Sequence, residues 1–135
     1  MAKIDPLKLW TLNYRLITGV IEAVVPPIEE LGIEIKELFV LAEIDEHPHP
    51  AELAVRLSMP KPSITVYLKR LEAAGLVRRE IDPCDLRKHK LQLTAAGRKV
   101  TTKGLALLSE GYHARLGRLN GAEQTELKAL LEKMV

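Results

Sequence analysis

Residues 61–97, KPSITVYLKRLEAAGLVRREIDPCDLRKHKLQLTAAG, decide how the rest of the chain is read. Ile64, Leu68 and Leu71 recur at i, i+4 and i+7, which predicts a helix with one apolar stripe turned to a core. Tyr67 borders that stripe. Pro62, Ser63, Val66, Lys69 and Arg70 fall on the opposite side, with Thr65 at its margin. Gly75 supplies the left-handed residue that ends such a helix. Two extended runs follow, residues 76–81 and 90–93. The second alternates so that Leu91 and Leu93 share a face, and the two are expected to pair antiparallel.

Between the strands, residues 82–89 read as a polar loop carrying Asp82, Asp85, Arg87 and Lys88 around Pro83. Thr94 stands where the N-cap of another helix belongs. Helix, strand, charged loop, strand and helix together outline a winged helix.

Upstream, residues 50–57, PAELAVRL, predict a short helix burying Leu53, Ala54 and Leu57, with His49 at its cap and Pro50 at its first position. Ser58, Met59 and Pro60 make the turn into the helix at Lys61. Two helices joined so tightly form a helix-turn-helix, whose second member enters a major groove. Residues 34–44 predict a further helix with Leu38, Phe39 and Leu41 inward and an acidic surface suited to support. Residues 6–25 carry Leu9, Leu12, Leu16, Val20 and Val24 at helical spacing, with Trp10, Ile17 and Ile21 beside them. So wide an apolar arc asks for cover from a partner subunit. Pro26 and Pro27 are expected to stop that helix.

Downstream, Thr94 opens a helix to about residue 119, carrying Val100, Leu105, Leu108, Tyr112 and Leu116 and on the order of 35 Å long. Gly104 and Gly111, one heptad apart, permit a close helix approach. Asn120 and Glu123 have the spacing of a capping box ahead of a last helix with Leu127, Leu130, Leu131 and Met134 on its apolar face. The fold class expected is mainly α with a small β-wing. Residues 1–30 supply an N-terminal dimerisation helix, residues 31–97 the winged helix-turn-helix, and residues 98–135 C-terminal dimerisation helices.

The chain has 135 residues, 47% of them apolar, enough for a real core. No run approaches the roughly 18 consecutive apolar residues of a membrane span. MAKIDPLKLW lacks a signal peptide's layout, and the single cysteine, Cys84, forms no internal disulfide, so a cytoplasmic protein without membrane association is expected. The net charge of +2 hides a polarity: Lys and Arg against Asp and Glu number 4 to 9 over residues 1–49, 10 to 5 over residues 50–98, and 6 to 4 over the remainder. A basic middle segment is the footprint of a nucleic-acid binder, and equally of a solvated charged face.

The order of elements, with DPCDLRKHKLQLTAAG at residues 82–97 and ELAVRL and SITVYLKRLEAAGLV before it, resembles the MarR family of transcriptional regulators over nearly the whole chain. The resemblance implies a homodimer on a pseudo-palindromic double-stranded operator, read by Lys61, Ser63, Thr65, Val66, Lys69 and Arg70 on the recognition helix and by Arg87 and Lys88 on the wing. Arg87 would enter a minor groove, where a guanidinium suits the negative potential, and Asp85 would hold the wing and its arginine in place. The chain departs from the family pattern at Val66, which suits a thymine methyl rather than a guanine edge, and at Pro60 and Pro62, which replace a serine-rich helix start. The family also implies control by a small aromatic or anionic effector, with Tyr14, Arg15 and Tyr112 as its contacts; Trp10 and Phe39 read better as residues of a dimer core.

Other chemistry finds little support. His47, His49, His89 and His113 have no metal-ligand spacing, and no phosphate loop, nucleophile elbow or catalytic carboxylate pair is present, so neither metal, cofactor nor enzymatic activity is expected. Cys84 sits in the wing between flanking acids and bases without a resolving thiol. The rival readings are a winged-helix protein-interaction module and a redox- or metal-responsive regulator on the same fold.

Overall fold

A computed structural model describes residues 3–135, with side chains throughout except at residues 86–88. Six helices and one hairpin follow in order: α1 (Pro6–Glu29), α2 (Ile35–Glu43), α3 (Pro50–Leu57), α4 (Lys61–Ala73), β1 (Val77–Asp82), β2 (Asp85–Leu93), α5 (Ala95–Leu116) and α6 (Gly121–Met134). The mainly helical class with a two-stranded antiparallel sheet is as expected. The chain divides into two compact units, residues 1–26 with 107–135, and residues 27–106.

The core of the second unit is built by α2, α3 and α4 and closed by the base of the hairpin. Leu38, Val40, Leu41 and Ile44 meet Leu53, Ile64, Leu68, Leu71 and Leu91, each at most 1% exposed. Full burial of each such side chain is worth about 1.5–3 kcal/mol, and the predicted stripe of α4 is therefore what fixes that helix in place. Phe39, expected inward, is only half-buried, and Val40 takes the interior position. Glu37 is buried beside the start of α2, where its carboxylate accepts from the Glu34 amide at 2.9 Å and completes a capping box. On the α3 side, Arg98 beside Asp45 holds that carboxyl below its ordinary value, chiefly through its hydrogen bond. The pair adds a little stability that is present above the ordinary carboxylate range and lost as pH falls through it.

Small residues set the inner face of α5. Gly97, Thr101 and Gly104 are its buried positions, while Leu105 is 39% exposed. A Cβ on Gly104 would stand 2.6 Å from Leu38 Cδ1, and one on Gly97 would stand 1.9 Å from the Leu76 carbonyl oxygen. The helix is seated by what these residues lack.

In the first unit, a Cβ on Gly111 would stand 2.3 Å from Val24 Cγ1, so the close approach predicted from its heptad spacing joins α5 to α1. The Asn120–Glu123 capping box forms in both directions, 2.9 Å each way. Yet among the described residues of this unit only Val20 and Val24 are buried apolar side chains. Leu7, Trp10, Leu12, Ile17, Leu130 and Met134 remain exposed, and α6 has no buried residue.

Two expectations are corrected. The first helix does not stop at Pro26 but continues through both prolines to Glu29. The bonds forfeited are those to Glu22 and Ala23, on the exposed side where water serves their carbonyls, while buried Val24 and Ile28 hold the turn from within. The expected eight-residue wing loop is instead mostly strand: β2 begins at Asp85, Asp82 faces Asp85 across a two-residue turn, and the register shifts between Ile81 and Asp82. A ribbon that leaves the core buries neither face, so ladder hydrogen bonds hold it without the apolar alternation by which strands are recognised.

Candidate nucleic-acid interface

The outward side of α4 follows from the burial of its inner one. Pro62, Thr65, Val66, Lys69 and Arg70 are exposed, Val66 by 48%, while Ser63 is half-buried. The entry to the helix is a tight turn: Ser58 is left-handed (φ 52°) and Met59 donates to the Ala54 carbonyl at 3.0 Å. Pro62 has no amide hydrogen, and the amides of Ser63 and Ile64 both return to the Pro60 carbonyl, at 3.0 and 3.2 Å. The helix N-terminus thus offers little to a phosphate, and any reading rests on side chains. Thr65 donates its hydroxyl back to the Lys61 carbonyl at 3.0 Å, leaving its oxygen lone pairs outward.

Charge on this face is partly spoken for. Arg70 Nη1 lies 3.2 Å from Glu34 Oε1 at the cap of α2, and Arg79 Nε lies 2.6 Å from Glu72 Oε1, binding the base of the wing to the end of α4. Arg78 donates to Gln92 at 2.8 Å, and Gln92 in turn donates to Glu80. Lys61 and Lys69 have no acidic partner among the described residues, nor has Lys90, exposed on β2. Sequence reasoning passed over Lys90, because placing it on the ribbon required knowing that the strands extend beyond the core.

Gly75 is left-handed as predicted (φ 74°), and Thr94 caps α5, accepting from the Gly97 amide at 3.0 Å. Thr94 also donates its hydroxyl to the Gly75 carbonyl at 2.6 Å and its amide to the Leu76 carbonyl at 3.1 Å. One threonine thereby clamps the end of α4, the start of β1 and the start of α5. Between α3 and the wing, the Leu91 amide donates to the Pro48 carbonyl at 2.7 Å. His49 gives α3 no side-chain cap; its Nδ1 is 3.1 Å from the His89 carbonyl and its Nε2 is 3.6 Å from Asp82 Oδ2. No spacing in the sequence signals these links, from residue 49 to residues 82 and 89. The Asp85 side chain is half-buried. The side chains of Arg87 and Lys88 lie outside the described residues.

The effector contacts expected from the resemblance lie on α1 and α5. Tyr14 is exposed and stacked on Trp10, ring centroids 5.3 Å apart, and Arg15 is exposed. Tyr112 lines an apolar hollow of ≈ 530 Å³ in the first unit, with Leu12, Leu16, Leu127, Arg115 and Arg118. Such a volume is in the range of small-molecule sites. His47 lies 3.9 Å from Glu43 and 3.7 Å from Glu52, and ligand-capable atoms of Glu43, Glu46 and His47 come within 4.8 Å of one another. Arg56, 3.5 Å from Glu43, already supplies a cation to that cluster. Cys84 is exposed at the wing turn, its amide donating to Asp82 Oδ1 at 2.8 Å.

Comparison with known proteins agrees with this geometry. The family model described as MarR family matches residues 31–88. The transcriptional regulator HosA of Escherichia coli O111:H- is 39% identical over 75 residues, which is 56% of this chain and 56% of that regulator's length. The HTH-type transcriptional repressor Rv2887 of Mycobacterium tuberculosis is 29% identical over 136 residues, covering 99% of this chain and 98% of the relative. Its crystal structure in complex with salicylic acid superposes with a TM-score of 0.79 over the full length of both chains. A mutant MarR from E. coli, complexed with operator DNA, is 26% identical and superposes with a TM-score of 0.78, covering 95% of this chain and 94% of that one. Helix-turn-helix, wing and flanking helices in this order make the chain similar, over essentially its whole length, to winged-helix transcriptional regulators of the MarR family.

Proposed function

We propose that this protein is a homodimeric, cytoplasmic, sequence-specific DNA-binding repressor whose hold on a pseudo-palindromic operator is released by a small aromatic anion. The observation that carries the DNA-binding part is the two-sidedness of α4. Its inner face is locked by Ile64, Leu68 and Leu71, and its outer face presents Thr65, Val66 and Lys69 to solvent with Lys61 at its start. A helix held rigidly from behind, offering a methyl-bearing, hydroxyl and cationic surface, is suited to a major groove. In this reading Lys61, Lys69 and the wing's Lys88 contact phosphates, while Ser63, Thr65 and Val66 meet base edges. Asp85 orients the wing, and Arg87 enters the adjacent minor groove. Arg70 must leave Glu34 to contribute.

Dimerisation is supported by the bare apolar surface of the first unit, where Leu7, Trp10, Ile17 and Leu130 have no cover. In this assignment residues 1–30 and 98–135 form the dimer lobe and residues 31–97 the reading head. An effector site is supported by the complex of the relative Rv2887 with salicylic acid and by the Tyr112 hollow with its two arginines.

Selection from a random duplex pool at physiological salt tests the reading. Enrichment of an inverted repeat with half-sites about one helical turn apart is expected. A folded dimer that enriches nothing would instead favour a protein-interaction module. With the operator in hand, Lys69→Ala is expected to weaken binding evenly across sequences and to reduce the slope of log K against log salt by about one, as loss of a single phosphate contact requires. An unchanged slope removes Lys69 from the phosphate contacts.

A further inference from the structure

His49 is where the helix-turn-helix and the wing meet side chain to side chain. It occupies the cap position of α3 with extended backbone (φ −112°, ψ 136°), yet its ring is turned to the hairpin. Nδ1 lies 3.1 Å from the His89 carbonyl on β2, and a carbonyl only accepts, so this nitrogen carries the proton. The other nitrogen is thereby defined: Nε2 is bare in the neutral ring and bears an N–H in the imidazolium. It lies 3.6 Å from Asp82 Oδ2 on β1, with the two side chains 21% and 17% exposed. Asp82 is itself oriented, because its other oxygen accepts from the Cys84 amide at the hairpin turn. One residue earlier, the Pro48 carbonyl accepts from Leu91. A single imidazole therefore touches both strands of the wing from the loop that leads into the helix-turn-helix.

We propose that His49 is a positioning residue for the wing. Its imidazole ties the hairpin that carries Arg87 to the helix-turn-helix, and protonation at Nε2 adds an ion pair with Asp82 that tightens the tie and raises operator affinity as pH falls. The proposal rests on the DNA-binding reading above. The groups around the ring agree with that sign. Asp82 faces it from β1, β2 presents the His89 carbonyl, and Asp85 stands opposite Asp82 at the same end of the hairpin. Glu52 on α3 is turned to His47 instead.

The test is operator binding by fluorescence anisotropy at constant ionic strength across about pH 5.5 to 8, where imidazoles titrate. Wild type is expected to tighten about two- to fivefold toward the acid end, the scale of a partly exposed ion pair. His49→Asn, whose amide can still donate to the His89 carbonyl, and Asp82→Asn should bind near wild type at pH 8 with a flat profile. His47→Gln should keep the slope. His49→Ala, lacking both contacts, should lose about tenfold at every pH. A slope that persists in both His49→Asn and Asp82→Asn overturns the proposal. Hydrogen exchange at the Leu91 amide in DNA-free protein separates the two readings, and is expected to be faster in His49→Ala than in wild type at equal global stability. If wild type binds no duplex while exchange responds, the operator reading fails and the tie stands. If duplex is bound while neither exchange nor the pH profile responds, the tie alone fails.

Discussion

Gly97→Ala is expected to cost about 3 kcal/mol or more of stability, at the upper end of what overpacking does. The added methyl would stand 1.9 Å from the Leu76 carbonyl oxygen, 2.8 Å from its carbon and 3.2 Å from its Cα. These are backbone atoms that cannot swing aside. That carbonyl also accepts from the Thr94 amide at 3.1 Å, and Thr94 in turn caps α5 through the Gly97 amide. Relieving the clash therefore pulls apart the Thr94 junction at which the end of α4, the start of β1 and the start of α5 meet. Urea melts of the variant should show a lower midpoint at unchanged slope, with loss of operator binding following the unfolded fraction. Gly121→Ala provides the contrast. Nothing lies within 4 Å of a Cβ there, so a change within about 0.5 kcal/mol is expected. If Gly97→Ala were as stable as wild type, the close seating of α5 on the wing would be wrong.

Arg87→Ala is expected to weaken specific operator binding by about 1 to 3 kcal/mol, roughly five- to 150-fold, while leaving stability unchanged. The size follows from what a guanidinium does in a narrow minor groove, where the potential is strongly negative and the side chain is held in place. Arg87→Lys should recover only part of the loss, since an ammonium keeps the charge and loses the planar fork. Affinity must be compared at matched salt, and a Kd indistinguishable from wild type would remove the wing tip from the interface. In the proposed role, in which Arg87 reads sequence-dependent groove shape, the loss should be larger on the selected operator than on random duplex, unlike the even loss expected from Lys69→Ala.

Much of the reading head was legible because its determinants are local. The stripe Ile64, Leu68, Leu71 set the rotation of α4, and with it which residues face outward; burial of all three follows the 3.6-residue period without exception. Gly75, Thr94 and Asn120 ended or began helices where their backbone freedom or side-chain oxygens demanded it. Each of these features depends on residues within a few positions of one another, where the chain's own geometry leaves few alternatives.

The tertiary structure decided what depends on residues far apart. Pro26 and Pro27 read as a stop, and only the burial of Val24 and Ile28 on either side carries α1 through them. The wing read as a loop because a solvent-facing ribbon lacks apolar alternation, although its ladder hydrogen bonds hold it as strand nearly to the turn. The sequence marked α5 by its apolar residues without saying which side faces in; close packing against Leu38 and Leu76 selects the side with no side chains to displace, Gly97 and Gly104. The tie from His49 to Asp82 and His89 had no sequence signal at all. Local periodicity and capping are determined by nearest neighbours and were fixed by the sequence as read. Steric fit and hydrogen bonds across the fold exist only once the chain has brought distant residues together, and those contacts set how α4 and the wing are held.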